Sequence, residues 1–176
     1  MARTLHLART FYRPRRPVPG MGVLDTSVTR MRVTLTDLDI YLHVNNGAYL
    51  QMMDVARTNY LADLGAFGTL RARGWYPVVA ASTMTYKRSL RLGERFEIAT
   101  RVLSWDHRVI YLEQVFRRSD AHVARGLVAG RFLHRGGARI AAPDVVAALR
   151  PGLSAPELPA DVRAWASAVD VAHRGD

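Results

Sequence analysis

Hydrophobic and polar positions along the chain follow two different periods, and the changes of period mark the predicted elements. Residues 27–35 (SVTRMRVTL) alternate in a composition rich in β-branched side chains, which predicts a strand. Between Gly47 and Leu64 apolar residues recur every three or four positions, which predicts a helix with one broad apolar face. Gly65 and Gly68 are expected to end this helix.

After the helix, the β-type pattern returns in four successive segments and gives way to shorter helical patterns. The segments cover residues 77–87, 94–105, 108–118 and 122–134, and the turns between them are short, which favours antiparallel pairing. Both alternating sets of positions in 108–118 are mostly apolar. One face should therefore hold the helix while the other meets a further element. Helices are predicted at 143–150 and 158–174. The layout is an α+β architecture, an antiparallel sheet wrapped round one long central helix.

The first residues differ in composition from the rest of the chain. Residues 1–24 contain no acidic side chain and include three prolines, at positions 14, 17 and 19. Proline lacks a backbone donor and fixes φ, so this segment is predicted to be an extended or irregular arm. The sequence thus divides into a basic arm (1–26), a central domain (27–142) and a helical extension (143–176).

Composition narrows the classes of function. The 176 residues are 49% hydrophobic, as expected of one globular domain with a sizeable core. The net charge of +10 comes almost wholly from arginine and would attract an anionic partner. Because the arginines are dispersed among acids, a phosphate-bearing small ligand is favoured over nucleic acid. The absence of cysteine excludes disulfides and thiolate sites. We expect no metal site, no cofactor, no membrane span and a cytoplasmic location.

The stretch TDLDIYLHVNNGAYL, residues 36–50, places two aspartates, a histidine and two asparagines directly before the long helix. A carboxylate can activate water or attack a carbonyl carbon. The unpaired N–H groups at the start of a helix can stabilise the oxyanion that forms. We expect Asp37 to be an ordinary turn residue that binds its own backbone, and Asn45 or Asn46 to cap the helix.

This stretch, together with the order of elements, resembles the hotdog-fold acyl thioesterases of the 4-hydroxybenzoyl-CoA thioesterase type. It is also similar to the thioesterase-superfamily member 6-like and plant acyl-ACP thioesterases, which share a D-x-D…H-x-N-N…Y pattern. The resemblance covers about residues 28–140 and implies a hotdog fold. It also implies a homodimer or homotetramer with sites at the subunit interface. The implied substrate is an acyl-CoA or acyl-ACP thioester.

The resemblance also implies the residues of the site. Asp39 matches the catalytic carboxylate, and about Asn46 lies the backbone N–H that polarises the thioester carbonyl. His43 and Asn45 match the assisting side chains of the acyl-ACP and member 6-like branches. The acyl-ACP branch has an asparagine where this chain has Tyr41, and it has a glutamate at the position of Ser89. These two departures argue against the triad-like mechanism of that branch and leave a mechanism with a single carboxylate standing.

The remaining candidates concern the substrate. Tyr49, Met52 and Met53 are expected to be core residues beside which the acyl chain lies, in a tunnel whose depth selects the substrate. Asp54, Arg57 and Asn59 are expected to face away from the apolar stripe or toward a partner subunit. Arginines near strand ends could bind the phosphates of coenzyme A, namely Arg88, Arg91, Arg117 and Arg118.

Three further functions stay open from the sequence. The main alternative is a non-catalytic hotdog module that binds acyl-CoA or acyl-carrier protein. A hydratase on the same fold and a nucleic-acid binder are weaker readings.

Overall fold

The computed structural model describes residues 2–172 and shows six strands and five α-helices in the order α1, β1, α2, α3, β2–β6, α4, α5, with one short 3₁₀ helix (Leu35–Asp37) between β1 and α2. The helices are α1 (Ala2–Tyr12), α2 (Asn46–Asp63), α3 (Ala66–Ala72), α4 (Ala142–Leu149) and α5 (Ala160–Ala168). The strands are β1 (Ser27–Arg32), β2 (Trp75–Tyr86), β3 (Arg95–Trp105), β4 (Ile110–Arg118), β5 (Ala121–His134) and β6 (Arg139–Ile140). Within residues 2–172, no helix has both the length and the hydrophobicity needed to span a membrane.

All strands belong to one antiparallel sheet in the order β1-β3-β4-β5-β2, and β6 pairs with β5. The sheet curves round α2, whose apolar side chains join the inward-facing residues of the strands in one main core. Met52, Met53, Val55 and Ala56 of α2 are completely buried there. The predicted antiparallel sheet round one long helix is confirmed, and each predicted strand agrees with an observed one to within a few residues.

The convex face of the sheet carries a second, smaller core. Val109, Tyr111, Leu127 and Ala129 point away from α2 and pack against Val162, Ala166 and Val171 of the α5 region. An ion-pair network borders this cluster: Glu113 of β4 accepts hydrogen bonds from Arg101 and Arg125, and Arg125 also binds Asp161 of α5. The prediction that both faces of β4 are covered is confirmed, and α5 is the second covering element.

The beginning of the chain is helical, which corrects the predicted extended arm. Residues 2–12 form α1, and the irregular segment starts only where the prolines begin, from Pro14 onward. Helix α1 packs on α2 and is fastened by Arg3, which is 7% exposed. Residues 2–12 contain no proline or glycine and are rich in alanine, leucine and arginine, which favour a helix, so the prolines break the structure only from Pro14 onward.

Smaller corrections concern the ends of helices. Gly65, at φ 72°, ends α2 as predicted, but Gly68 lies inside the unpredicted α3. Helix α5 covers Ala160–Ala168 and is shorter than the predicted 158–174, of which residues 173 and 174 lie outside the described residues. The two-residue strand β6 was also not predicted.

Candidate active site

The candidate site is a tight turn between β1 and α2 that projects from the body of the protein. The main chain of Leu38 pairs with that of Val44, and the Asp39 N–H donates to the His43 carbonyl at 2.9 Å. At the tip the side chains of Ile40, Tyr41 and Leu42 are 88%, 74% and 71% exposed. Leu42 has φ 58°, a left-handed conformation that is strained for a residue with a Cβ atom.

The Asp39 carboxylate has one oxygen engaged and one free. Its Oδ1 accepts hydrogen bonds from the N–H groups of Tyr41 (2.9 Å) and His43 (3.4 Å), which is the usual way an aspartate holds a turn. Within residues 2–172 the structure gives Oδ2 no hydrogen-bond partner. The carboxylate is half-buried. One oxygen therefore fixes the side chain, while the other is available to a water molecule or a substrate.

The start of α2 provides a donor beside this turn. Asn45 is the N-cap, and its Oδ1 accepts from the Gly47 N–H at 2.8 Å, which confirms the predicted cap. The Asn45 N–H itself donates to the Asp37 carbonyl at 2.8 Å, which ties the helix start to the turn. The first helical N–H, that of Asn46, has no acceptor among the described residues. The helix dipole adds partial positive charge at this point.

Asp37 is not part of this exposed chemistry. It is fully buried and accepts hydrogen bonds from the Thr34 N–H (2.7 Å), the Thr34 hydroxyl (2.8 Å) and the Arg3 guanidinium (2.8 and 2.6 Å). Burial alone would raise the pKa of Asp37, but the hydrogen bonds from Arg3 and Thr34 outweigh it and lower the pKa. The prediction of a turn aspartate is confirmed. The long-range partner, Arg3, was not predicted.

His43 lies in the same turn, half-buried, and its main chain bridges to Arg91. The Val44 N–H donates to the Leu90 carbonyl at 3.0 Å, so residues 90–91 support the turn from the other side. Arg88 lies just before this support, and its guanidinium donates to the His122 carbonyl at 3.1 Å. Of the other predicted phosphate ligands, Arg118 is paired with Glu94. The turn therefore brings Asp39, His43, Asn45 and Asn46 together, and Arg88 stands two residues before Leu90, whose carbonyl supports the turn.

The candidate acyl-binding residues are all buried under the first turns of α2. Tyr49 packs edge-on against Tyr86 and Phe116, with ring centroids 5.1 and 5.2 Å apart, and burial raises its pKa. Met53 fills the space above Gly126, where a Cβ atom would lie 2.4 Å from the Met53 Cε. Tyr49, Met52 and Met53 are thus tightly packed core residues.

An apolar cavity lies on a different face of α2. It measures about 200 Å³ and is bounded by α2, the concave face of the sheet and α4. Neither Met52 nor Met53 lines it; the later turns of α2 form its wall, and it is not the tunnel predicted beside these two residues. Its lining is almost wholly apolar and includes Leu61, Leu64, Val79, Leu112, Val128, Phe132 and Val146.

Asp54, Arg57 and Thr58 supply the polar part of this lining. Arg57 donates to the buried Gln114 at 2.7 Å and pairs with Asp54. Burial raises the pKa of Asp54 and lowers that of Arg57, so their ion pair offsets part of the cost. Asn59 was expected to face away from the apolar stripe or toward a partner subunit; it is instead buried inside this chain, where it donates to the Thr29 hydroxyl at 3.1 Å.

Comparison with known proteins agrees with this architecture. The family model of the thioesterase-like superfamily matches residues 33–166. Protein THEM6 of Danio rerio is 40% identical over 119 residues, which are 67% of this chain and 59% of that protein. This chain therefore spans little more than half the length of that relative.

Solved structures show the same fold at low sequence identity. YbaW from Escherichia coli superposes with a TM-score of 0.65 and 23% identity, over 70% of this chain and 96% of that one. The 1,4-dihydroxy-2-naphthoyl-CoA thioesterase from Synechocystis superposes with a TM-score of 0.61 and 13% identity, over 71% and 96%. The chain belongs to the thioesterase-like superfamily and has its hotdog α+β fold.

Proposed function

We propose that the protein hydrolyses acyl thioesters, with acyl-CoA as the favoured substrate and Asp39 as the catalytic carboxylate. The observation that supports this most directly is that two groups without hydrogen-bond partners in residues 2–172 lie in adjoining segments, one in the turn and one at the start of α2. The Oδ2 oxygen of Asp39 and the N–H of Asn46 both lack partners among the described residues, and hydrogen bonds join the segments that carry them. The naphthoyl-CoA thioesterase on the same fold is a precedent for this substrate class.

The chemistry needs no group that the chain lacks. The Asp39 carboxylate removes a proton from water as the water oxygen attacks the thioester carbon. The Asn46 N–H donates to the carbonyl oxygen as it becomes negative. The C–S bond then breaks, the sulfur leaves as thiolate and takes up a proton, and Asp39 gives the proton that it removed from water back to solvent. His43 lies four residues beyond Asp39 in the turn and assists by orienting the water.

We further propose a homodimer formed through β2. This strand is an edge of the sheet, is twelve residues long and carries no charged side chain. Tyr76, Val79 and Tyr86 on it are exposed. The other edge, β1, is six residues long and carries Arg30 and Arg32. Long uncharged edge strands invite pairing with another chain, whereas charged short ones resist it. Light scattering should give twice the mass of one chain. In the variant Val79→Lys the measured mass should fall toward that of the monomer.

Thiol release from a panel of acyl-CoAs tests the activity. The protein has no cysteine, so a thiol-reactive dye reports only the released coenzyme A. Asp39→Asn keeps an Oδ1 acceptor for the turn but has no carboxylate, so turnover should fall about 100-fold with little change in stability. The matched control is Asn46→Ala, which keeps the backbone donor and should keep most activity.

Two outcomes would contradict the proposal. Equal turnover in Asp39→Asn would remove Asp39 from the mechanism. No release from any acyl-CoA by folded protein that still binds an acyl-CoA would favour the non-catalytic module. Acyl-carrier-protein thioesters belong in the same panel, because the carrier preference and the cytoplasmic location both stay predictions.

A further inference from the structure

The outer surface of α1 is apolar and basic at once. Helix α1 turns Arg3, Leu7 and Thr10 toward the body of the protein, while Leu5 and Tyr12 are 73% and 80% exposed on the opposite side. Phe11 is also exposed and stacks edge-on against Phe67 of α3 at 6.0 Å, which holds its ring at the surface. Exposed aromatic and aliphatic side chains grouped on one short helix are unusual on a surface that only meets water.

Cationic side chains flank these apolar ones. Arg9, Arg13 and Arg16 are exposed, and no salt bridge to them is found among the described residues. The two other arginines of the segment are engaged: Arg3 with Asp37 and Arg15 with Asp63. Because residues 2–24 contain no acid, nothing in the segment neutralises the three exposed guanidinium groups. We call this surface the α1 patch: Leu5, Arg9, Phe11 and Tyr12 of α1, together with Arg13 and Arg16 of the segment that follows it, where Arg16 also lines a surface pocket with Asp25 and Asp63.

We infer that the α1 patch docks on the surface of an anionic lipid membrane. Such a surface offers both things that the patch can bind: negatively charged headgroups for the arginines and a hydrocarbon boundary for Leu5, Phe11 and Tyr12. A second copy of this chain would bring three further positive charges against the same patch, which opposes self-association there. Nucleic acid would attract the arginines but offers no hydrocarbon boundary for the aliphatic Leu5.

Hydrogen bonds from Arg3 hold α1, and with it the α1 patch, in a fixed position on the domain. The Arg3 guanidinium binds the Asp37 carboxylate through two hydrogen bonds and the Arg32 carbonyl through a third, at 2.8 Å. The helix is therefore held against the turn that carries Asp39. The docking does not depend on thioester hydrolysis, and it can be measured with no substrate present.

Co-sedimentation of the full chain with lipid vesicles tests this. We expect binding to phosphatidylcholine vesicles that contain about 30% phosphatidylserine, and little binding to phosphatidylcholine alone, as for other basic interfacial segments. Each arginine at an anionic surface raises partitioning about fivefold, so the triple variant R9Q/R13Q/R16Q should bind about 100-fold more weakly. The double variant L5S/Y12S should also bind more weakly, since it keeps the charge and removes the apolar side chains.

The matched control is R95Q/R117Q/R139Q, which removes the same charge from exposed positions on β3, β4 and β6. It should bind almost as well as the unaltered protein. An equal loss in this control would show a diffuse attraction and overturn the docking. Full binding by L5S/Y12S, or absence of binding to anionic vesicles, would also overturn it. A change of oligomeric mass in the α1 variants would overturn it as well and would assign the patch to contact with a second copy of the chain. Thermal unfolding of each variant confirms that it is folded.

Discussion

The Arg3 guanidinium and the Asp37 carboxylate form a buried, two-pronged ion pair across 34 residues of sequence. This pair joins α1, which lies before the family match, to the first residues of the turn that carries Asp39. The carboxylate is fully buried, and the guanidinium is 8% exposed. The pair therefore couples the docking of α1 to the shape of the candidate site.

Removal of Arg3 should destabilise the protein strongly. Arg3→Ala leaves the Asp37 carboxylate buried with only Thr34 as its partner, and breaking one side of a buried pair costs about 3 kcal/mol. Urea unfolding measures the loss. The double variant Arg3→Ala, Asp37→Asn should recover part of it, since neither residue then carries a buried charge, and Asp37→Asn alone completes the cycle. A double variant as unstable as the sum of the two single ones would show that the residues do not interact.

Acid should weaken the folded state through the same carboxylate. The pKa of Asp37 and that of Glu113 are lowered by arginine hydrogen bonds that outweigh burial. A group whose pKa is lower in the folded state adds stability above its unfolded pKa of about 4, and this is lost as the pH falls toward the folded pKa. The free energy of unfolding should therefore fall with pH below about 4. In Asp37→Asn the fall should be shallower. An identical slope in both proteins would contradict the assignment.

The two roles of Asn45 should separate in two substitutions. Asn45→Ala removes the acceptor of the Gly47 N–H and should cost about 1 kcal/mol, with slower turnover because the helix start loosens. Asn45→Asp keeps the cap and favours the helix dipole, so stability should be kept or raised. Its negative charge beside the proposed oxyanion should still lower turnover. Parallel measurements of kcat and unfolding decide this, and full turnover in Asn45→Asp would place the oxyanion elsewhere.

The strained tip of the turn offers a further test. Leu42→Gly removes the cost of a left-handed residue with a Cβ atom, about 1 kcal/mol, although added freedom in the unfolded chain offsets part of it. The matched control Leu42→Ala keeps the strain and removes the same exposed side chain. Leu42→Gly should be the more stable of the two in urea unfolding. If Leu42→Gly is no more stable than Leu42→Ala, the strain at this φ does not exceed the entropic cost of glycine.

The parts predicted from sequence are those that leave a period or a local signature. The apolar repeat of α2 and the alternation of β3 and β4 follow from one element's own geometry, and the Asn45 cap follows from residue type beside a helix start. The ion pair of Arg3 with Asp37 leaves no such signature. The helical α1 was missed for a different reason: the prolines act only from Pro14 onward, and residues 2–12, which contain none, have a helix-forming composition.

Asn59 shows a second limit. Its position on α2 suggested an outward direction, but β1 covers that side of the helix and the Thr29 hydroxyl supplies a partner. The cavity was likewise not predicted on the later turns of α2, because α4 closes it and nothing in the helix period indicates where α4 lies. The assembly of the sheet around α2, rather than any local pattern, decides both features.

The coverage of β4 on both faces has a consequence for how this chain can vary. Tyr111 belongs to the small core under α5, whereas its neighbours Ile110 and Leu112 belong to the main core round α2. A deletion of one residue in β4 would turn the side chains that follow it to the opposite face of the sheet. Gln114 would then point toward the face that Glu113 now occupies, and Glu113 toward the face of Gln114. Strands with one solvated face can survive such a slip by local repair. Here both cores would be lost together, so length changes in natural relatives should be confined to the turns on either side of β4.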